Sequence, residues 1–288
     1  MRSDNSNRRR PRSLLVIVAR RKTGLAGLVI LVALVLTGVL APYIAPYDPM
    51  YIRPSDRLRA PDSRHFFGTD NFGRDILSRV MYGSRVSMLT GLSVALLSGI
   101  VGGMLGAVSA YFPRIGGVSM RLVDALMAFP AIILALFLMA ITQRASLVNV
   151  IVALSVAYAP RMARTAFGLT LHVCTLTFIE AAEAVGSGRV RILLRHALPN
   201  LISPIIVQST FTCALAILGA AALDFLGVGV PPSVPSWGAM VSEGRMYMTC
   251  APWIVLIPGG FVAVFVLSLN LLGDAMRDAL DPRLRRLR

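Results

Sequence analysis

The side chains able to do acid–base or covalent chemistry are few in this 288-residue chain, and their spacing gives none of the usual constellations. His65, His172 and His196 are the three histidines, and no HExxH, GxSxG or paired-carboxylate arrangement accompanies them, so hydrolytic chemistry lacks its parts. Cys174, Cys213 and Cys250 are odd in number and widely spaced without a CxxC pair, which gives neither a disulfide framework nor a zinc site. A phosphate cradle of the form GxxxxGK[ST] needs its lysine, and the single Lys22 stands in "ARRKTG". The oxygen-bearing residues of "FGTDNFGRDILSR" do not alternate as a calcium loop requires, and no Glu closes the set. No catalytic residue, metal ligand or cofactor site is therefore expected. What remains is the chemistry of contact: the stretch "FIEAAEAVGSGRVRILLRHALPN" at 178–200, Asp124 with the nearby Pro130, and Trp237 in "GVGVPPSVPSWG".

The elements that must position these residues are set by composition. The chain is 56% hydrophobic and 15% charged, more apolar than a soluble domain can bury, which selects an all-α integral membrane protein. Runs without Asp, Glu, Lys or Arg occur at 23–47, 86–113, 125–143, 145–160, 197–223 and 246–273. Five of them hold the roughly 18 to 20 residues that cross a hydrocarbon core; the fourth is shorter and is counted as a span because Arg161 and Arg164 can extend its helix by turning toward the headgroups. A seventh run at 165–179 is too short and polar to cross. Six transmembrane helices with an intracellular start leave 20 of the 29 basic residues on the inner side, and this excess of positive charge puts both termini in the cytoplasm. The organisation that follows is a basic tail at 1–24, a retained first helix at 25–45, an outer loop at 46–84 and a membrane core at 85–288 with a cytoplasmic loop at 161–200. On the outer side, residues 48–85 carry seven Arg and five Asp, expected to pair locally in a small folded element. The net charge of +15 lies mostly along the face that meets anionic lipid, so nucleic acid is not an expected partner.

Within the loop at 161–200, Glu180, Ala181, Ala182, Glu183 and Ala184 favour helix, and Gly186 can stop it in a left-handed conformation. Residues 190–197 can form a second helix, and Pro199 suits the first turn of the next span. Read from the residues alone, this helix, bend and helix serves equally as a docking rod for another protein or as a juxtamembrane helix in the headgroups. Asp124 follows Arg121 at i, i+3 and is expected to pair with it; Pro130 permits a kink that can act as a hinge. Asp224 is expected to cap the outer end of span five, Thr69 or Asp70 to cap a short helix, and Trp237 to sit at the interface or in a gate. An ion-coupled transporter or channel, the alternative reading, would keep ionisable groups near the midplane, where the spans offer little.

The stretch "EAAEAVGSGRVRILLRHALPN" resembles the EAA signature of ABC-transporter membrane subunits, with Glu180, Ala181, Ala182, Gly186, Leu198 and Pro199 in the expected places. Four further blocks, "FGTDNFGRDILSRVMYGSRVSM", "VDALMAFPAIILAL", "DFLGVGVPPSVPSWGAMVSEGR" and "PWIVLIPGGFVAVFVLSLNLLGDAMRDALDPRLRR", are similar to the dipeptide/oligopeptide/nickel-type permease C subunit. Glu183 departs from the signature, standing where Arg is frequent. The resemblance implies a type I ABC importer transmembrane domain in the inner membrane, in which the signature is the coupling helix. It further implies a homologous permease subunit, two ATP-binding subunits and an extracytoplasmic solute-binding protein as partners, with a di- or oligopeptide as solute.

Overall fold

The computed structural model describes residues 21–280, and among these it is helical with one isolated bridge between Thr69 and Asp75. The basic residues expected to hold the tails inside, at 1–20 and 281–288, lie outside the described residues. Helix α1 (Lys22–Ile44) matches the first apolar run. Helix α2 (Ile76–Tyr111) begins ten residues before the predicted span at 86. Its start is fixed by Asp75, whose carboxylate accepts the Ser78 N–H at 2.8 Å. Asp75, and neither Thr69 nor Asp70, is therefore the cap. Hydropathy missed these first turns because Arg79 and Arg85 are in them; Arg79 is buried in protein, not in lipid.

The predicted third span at 125–143 is not one helix. Helix α3 (Pro113–Met127) ends at Ala128, and α4 (Ala131–Thr142) leaves at 93° to it. Pro130 has no N–H to offer and takes the position before α4 with φ −55° and ψ 130°, which forces the turn. Twelve residues give α4 a length of about 18 Å, short of the hydrocarbon thickness. Helix α5 (Leu147–Cys174) runs straight through Arg161 and Arg164, so most of the run at 165–179 is the end of this span rather than a separate crossing. Helix α6 (Thr177–Ala184) and α7 (Arg189–Ile192) follow, then a π turn at Leu193–Ala197 that leads into α8 (Leu198–Phe225). Helix α9 (Trp237–Gly244) is short, and α10 (Trp253–Leu280) starts later and ends later than the predicted 246–273 because residues 245–252 form a 3-10 turn and a loop. Five of these helices are long and apolar enough to cross a membrane, with α7, the π turn and α8 counted as one, and the bent α3–α4 pair makes a sixth.

Small residues on α2 let the backbones approach. A Cβ at Gly102 would meet the Ala159 carbonyl at 2.5 Å and Met162 at 2.8 Å; one at Gly106 would run into the Ala163 carbonyl. Gly91 lies against Ile217 of α8 at 2.7 Å in the same sense. Helix α2 is thereby clamped between α5 and α8, as small residues allow where lipid supplies no hydrophobic drive. Helix α1 runs antiparallel to α10, and Arg21 pairs with Asp278, so both ends of the described chain meet at one face of the bundle. That face also carries residues 175–197; the opposite face carries 45–75 and 226–252.

On the second face the charges do more than pair locally. Asp70 accepts Arg74 Nε at 2.6 Å and Arg79 Nη1 at 2.5 Å, and both guanidinium groups reach Glu243 of α9, at 2.6 and 2.9 Å. Asp70, Arg74 and Arg79 are at most 4% exposed. Through Arg74 the network joins the loop to a helix residue 169 positions away. His65 Nδ1 sits 2.9 Å from Asp75 Oδ1, and the backbone N–H of His65 holds the half-buried Asp62 carboxyl below its usual range. Asp224 lies near the predicted outer end of span five, but it is buried in the last turn of α8 and, rather than capping at the interface, it accepts the Val230 N–H and the Ser236 hydroxyl, both at 2.8 Å, and so ties down the following loop. Trp237 is not interfacial. It is fully buried, donates its indole N–H to the Val80 carbonyl at 3.0 Å, and packs on Phe261 and Phe265.

Three outcomes follow for the detergent-solubilised protein. Gly106→Leu should lower stability by about 1–3 kcal/mol through overpacking of α2 on α5, whereas Gly117→Ala, where a Cβ meets nothing within 4 Å, should raise it by roughly 1 kcal/mol of helix propensity; thermal unfolding reads both. Asp70→Asn strips the buried arginines of one carboxylate and should cost about 3–5 kcal/mol, read as faster hydrogen exchange over residues 45–75. Because the folded-state pKa of Asp62 is depressed, its contribution is present above the unfolded carboxylate pKa and lost as pH falls through the folded value. The Tm difference between wild type and Asp62→Asn should accordingly close on acidification.

Candidate functional site

The segment after α5 is built as a rod with a root. Helix α5 ends at Cys174, and a two-residue turn leads into α6. At the far end of α6 the Gly186 N–H donates to the Glu183 carbonyl at 2.9 Å and the Ser187 N–H to the Ala182 carbonyl at 3.0 Å, with Gly186 at φ +82°. That pair of bonds is the Schellman stop, and its left-handed residue favours glycine. The chain turns at Gly188 into α7, then widens: the Leu198 N–H returns to the Leu193 carbonyl, five residues back. The wide turn abuts Pro199, which lacks the N–H that would have bonded Arg195.

The root is apolar. Ile179 from α6, Ile192 and Leu193, Ala197 and Leu201 are buried together with Ala107 of α2 and Val173 of α5. Tyr111 and Phe112, at the end of α2, pack on the same cluster, and the Tyr111 hydroxyl donates to Glu183 at 3.3 Å. Rod, α2, α5 and α8 therefore share one core. The outward side is exposed: Phe178, Val185, Val190 and Leu194 are 41 to 87% exposed, with Ala181 and Ala184 between them and Glu180, Arg189, Arg191 and Arg195 around them. An exposed apolar patch rimmed by charges of both signs fits either of the two readings of this segment, a protein partner or the headgroups.

The six residues expected here divide by task. Glu180 and Ala181 are exposed on α6; Gly186 makes the bend; Pro199 stands in the first turn of α8. Ala182 and Leu198 are half-buried and pack against the root. Glu183, the departure from the signature, is the residue that Tyr111 holds. Tyr111 and the π turn were missed. Neither leaves a signal in the segment, since the tyrosine is 72 positions away and the wide turn reads as ordinary helix.

The remaining candidates are separate from the rod. Asp124 pairs with Arg164 of α5 at 3.3 Å, not with Arg121, because α3 lies along α5 and presents the carboxylate across it; both partners are about half exposed. Pro130 sits at the α3–α4 bend, which lines an open cleft of about 300 Å³ with Tyr158 and Arg161 of α5 on its other side. Trp237 belongs to the opposite face and to the core.

Residues 99–286 match the family described as binding-protein-dependent transport system inner membrane component, and residues 18–61 match the N-terminal transmembrane domain of oligopeptide transport permease C. A Brucella suis protein named as a peptide transport system permease is 45% identical over 92% of this chain and 90% of its own. The dipeptide transport system permease protein of Alkalihalophilus pseudofirmus is 39% identical over 92% of this chain and 88% of its own. Among solved structures, the MetNI methionine ABC transporter in inward-facing form has a chain similar in fold, with a TM-score of 0.59 and 18% identity over 70% of this chain and 97% of that one. The bundle, its signature-bearing rod and these matches make the chain a member of the binding-protein-dependent transport system inner membrane components, the multi-pass permease subunits of ABC importers.

Proposed function

We propose that this permease carries di- or oligopeptides across the inner membrane, with residues 175–200 and both chain ends in the cytoplasm and residues 46–75 and 226–252 outside. It pairs with a homologous permease subunit to enclose the pathway, receives solute from an extracytoplasmic binding protein, and is driven by two ATP-binding subunits. Peptide as solute is supported by the names of the relatives, and the orientation by the excess of Arg on the inner side.

The observation that carries the mechanism is the shared core of the rod. Ile179 is 1% exposed against Ile192 and Leu193, so α6 cannot be displaced without moving the inner ends of α5 and α8 with it. Closure of the ATPases on bound nucleotide pushes the exposed side of α6; α5 and α8 convert that push into opening of the pathway toward the outside, and hydrolysis releases it. Glu180 orients the contact electrostatically, and the small side chain of Ala181 allows close approach. Lys22 and the absence of a GxxxxGK[ST] sequence leave hydrolysis to the other subunits.

Gly186→Pro cannot adopt φ +82° and removes the N–H bonded to Glu183; Glu180→Lys inverts the charge at the contact. In proteoliposomes holding the complete importer, each should cut peptide uptake about tenfold or more while membrane insertion stays normal, which corresponds to roughly 1.4 kcal/mol or more of lost coupling. Stimulation of ATP hydrolysis by loaded binding protein should disappear in parallel. Wild-type uptake in both variants removes the coupling role of the rod, and uptake on an ion gradient without ATPases removes the importer reading.

A further inference from the structure

The break between α3 and α4 raises a solvation problem. Residues 128–130 are non-helical and lie inside the apolar run 125–143 of a predicted span; the Ala128 and Phe129 N–H groups bond back to the Ala125 and Leu126 carbonyls at 3.3 Å, and the Pro130 carbonyl accepts from Ile133 and Leu134. Irregular backbone within a span persists only if protein covers it or water reaches it. Ala128, Phe129 and Pro130 are exposed and line the open cleft of about 300 Å³, the low end of the size range of small-ligand pockets. The cleft opens at the surface of this chain.

Its polarity is lopsided. Leu126, Met127, Phe129 and Pro130 make one wall. The other is α5, where the Tyr158 hydroxyl is already committed to the Leu215 carbonyl at 3.0 Å, so that ring is a fixed surface rather than a free donor. Arg161 supplies the positive charge. Among the described residues it has no carboxylate within ion-pair distance, since the nearby Asp124 is taken by Arg164. Arg161 also lies below the end of the bundle: Ala163, two residues on, faces Gly106 of α2, which continues for about one and a half turns to Tyr111. An exposed guanidinium with no carboxylate partner among the described residues, on the wall of a largely apolar trough, suits an anion that arrives with apolar substituents.

We propose that this cleft is a transit site for the solute, in which Arg161 holds the terminal carboxylate of the peptide by a two-pronged hydrogen bond while the α3–α4 bend accommodates its side chains. The inference rests on the peptide-importer reading above and names a binding residue within it. The same guanidinium chemistry would also suit a lipid phosphate that enters from the inner leaflet, and the test separates the two.

The importer is assembled in nanodiscs with Cys174→Ser, Cys213→Ala and Cys250→Ser, and a reporter thiol is introduced in the cleft by Ala131→Cys or, separately, by Phe129→Cys. Modification by an anionic thiosulfonate should outpace that by a cationic one by about tenfold, the effect of one focused charge on local reagent concentration. The ratio should fall toward one in Arg161→Gln and return in Arg161→Lys. Millimolar Ala-Ala should slow modification severalfold, while Ala-Ala amide should not. A ratio unchanged by Arg161→Gln, or equal protection by the amide, overturns the carboxylate site. Protection that appears without peptide when phosphatidylglycerol replaces phosphatidylcholine assigns Arg161 to a headgroup and overturns it as well. ATP-dependent dipeptide uptake by the same importer with native Arg161 is measured alongside, so that failure of the cleft is distinguishable from failure of the importer reading.

Discussion

The close approach of α2 to α5 and α8 is the constraint on which the rest of the molecule depends. It requires glycine where a single methyl group would strike a carbonyl, at Gly102 and Gly106 above all. In a lipid environment, where apolar side chains gain nothing by leaving their surroundings, backbone proximity and dispersion are what hold helices together. Because α2 is held along its length, it can serve both faces. Its first turns carry Asp75, Arg79 and the Val80 carbonyl that receives Trp237; its last turn carries Tyr111, which meets the rod.

Charge is handled in opposite ways at the two ends. On the face carrying residues 45–75, Asp70, Arg74, Arg79 and Glu243 form a buried set of two acids and two bases. Such a set gains little net stability after desolvation, but it tolerates one register only, and it locks the loop to α9. On the rod the charged groups remain exposed and largely unpaired within the chain, where they cost nothing to solvate and stay available to a partner. The first arrangement suits a rigid scaffold. The second suits an interface that must engage and release.

Two departures from regular helix stand out in the bundle. The α3–α4 bend exposes backbone to a cleft, and the π turn at Leu193–Ala197 lies between the rod and α8. Both adjoin a proline, Pro130 and Pro199, whose missing N–H removes a helix hydrogen bond there, while Pro42, Pro160, Pro204 and Pro258 stand inside helices that continue. The second joins α7 to α8, the buried root joins α6 to α5, and the first sits against the face of α5 that carries Arg161.

The order of apolar runs, the left-handed stop at Gly186 and the helical stretch before it were legible in the sequence because each depends on neighbours within a turn or two. Resemblance in the quoted blocks named the family before any coordinates did. Burial and partnership were not legible. Hydropathy weighs residues by their affinity for lipid, so it misplaced the start of α2, whose Arg79 is solvated by Asp70 and Glu243, and it fused α3 with α4, since a bend changes no residue's polarity. Spacing along one helix suggested Arg121 for Asp124, but Arg164, from a helix packed alongside, is the residue within reach. Trp237 looked interfacial for want of any sign that α2 would offer it a carbonyl. Short-range conformational preference was thus written into the chain itself, whereas every pairing across helices was decided by packing, because which side chains meet at 3 Å depends on how whole helices cross.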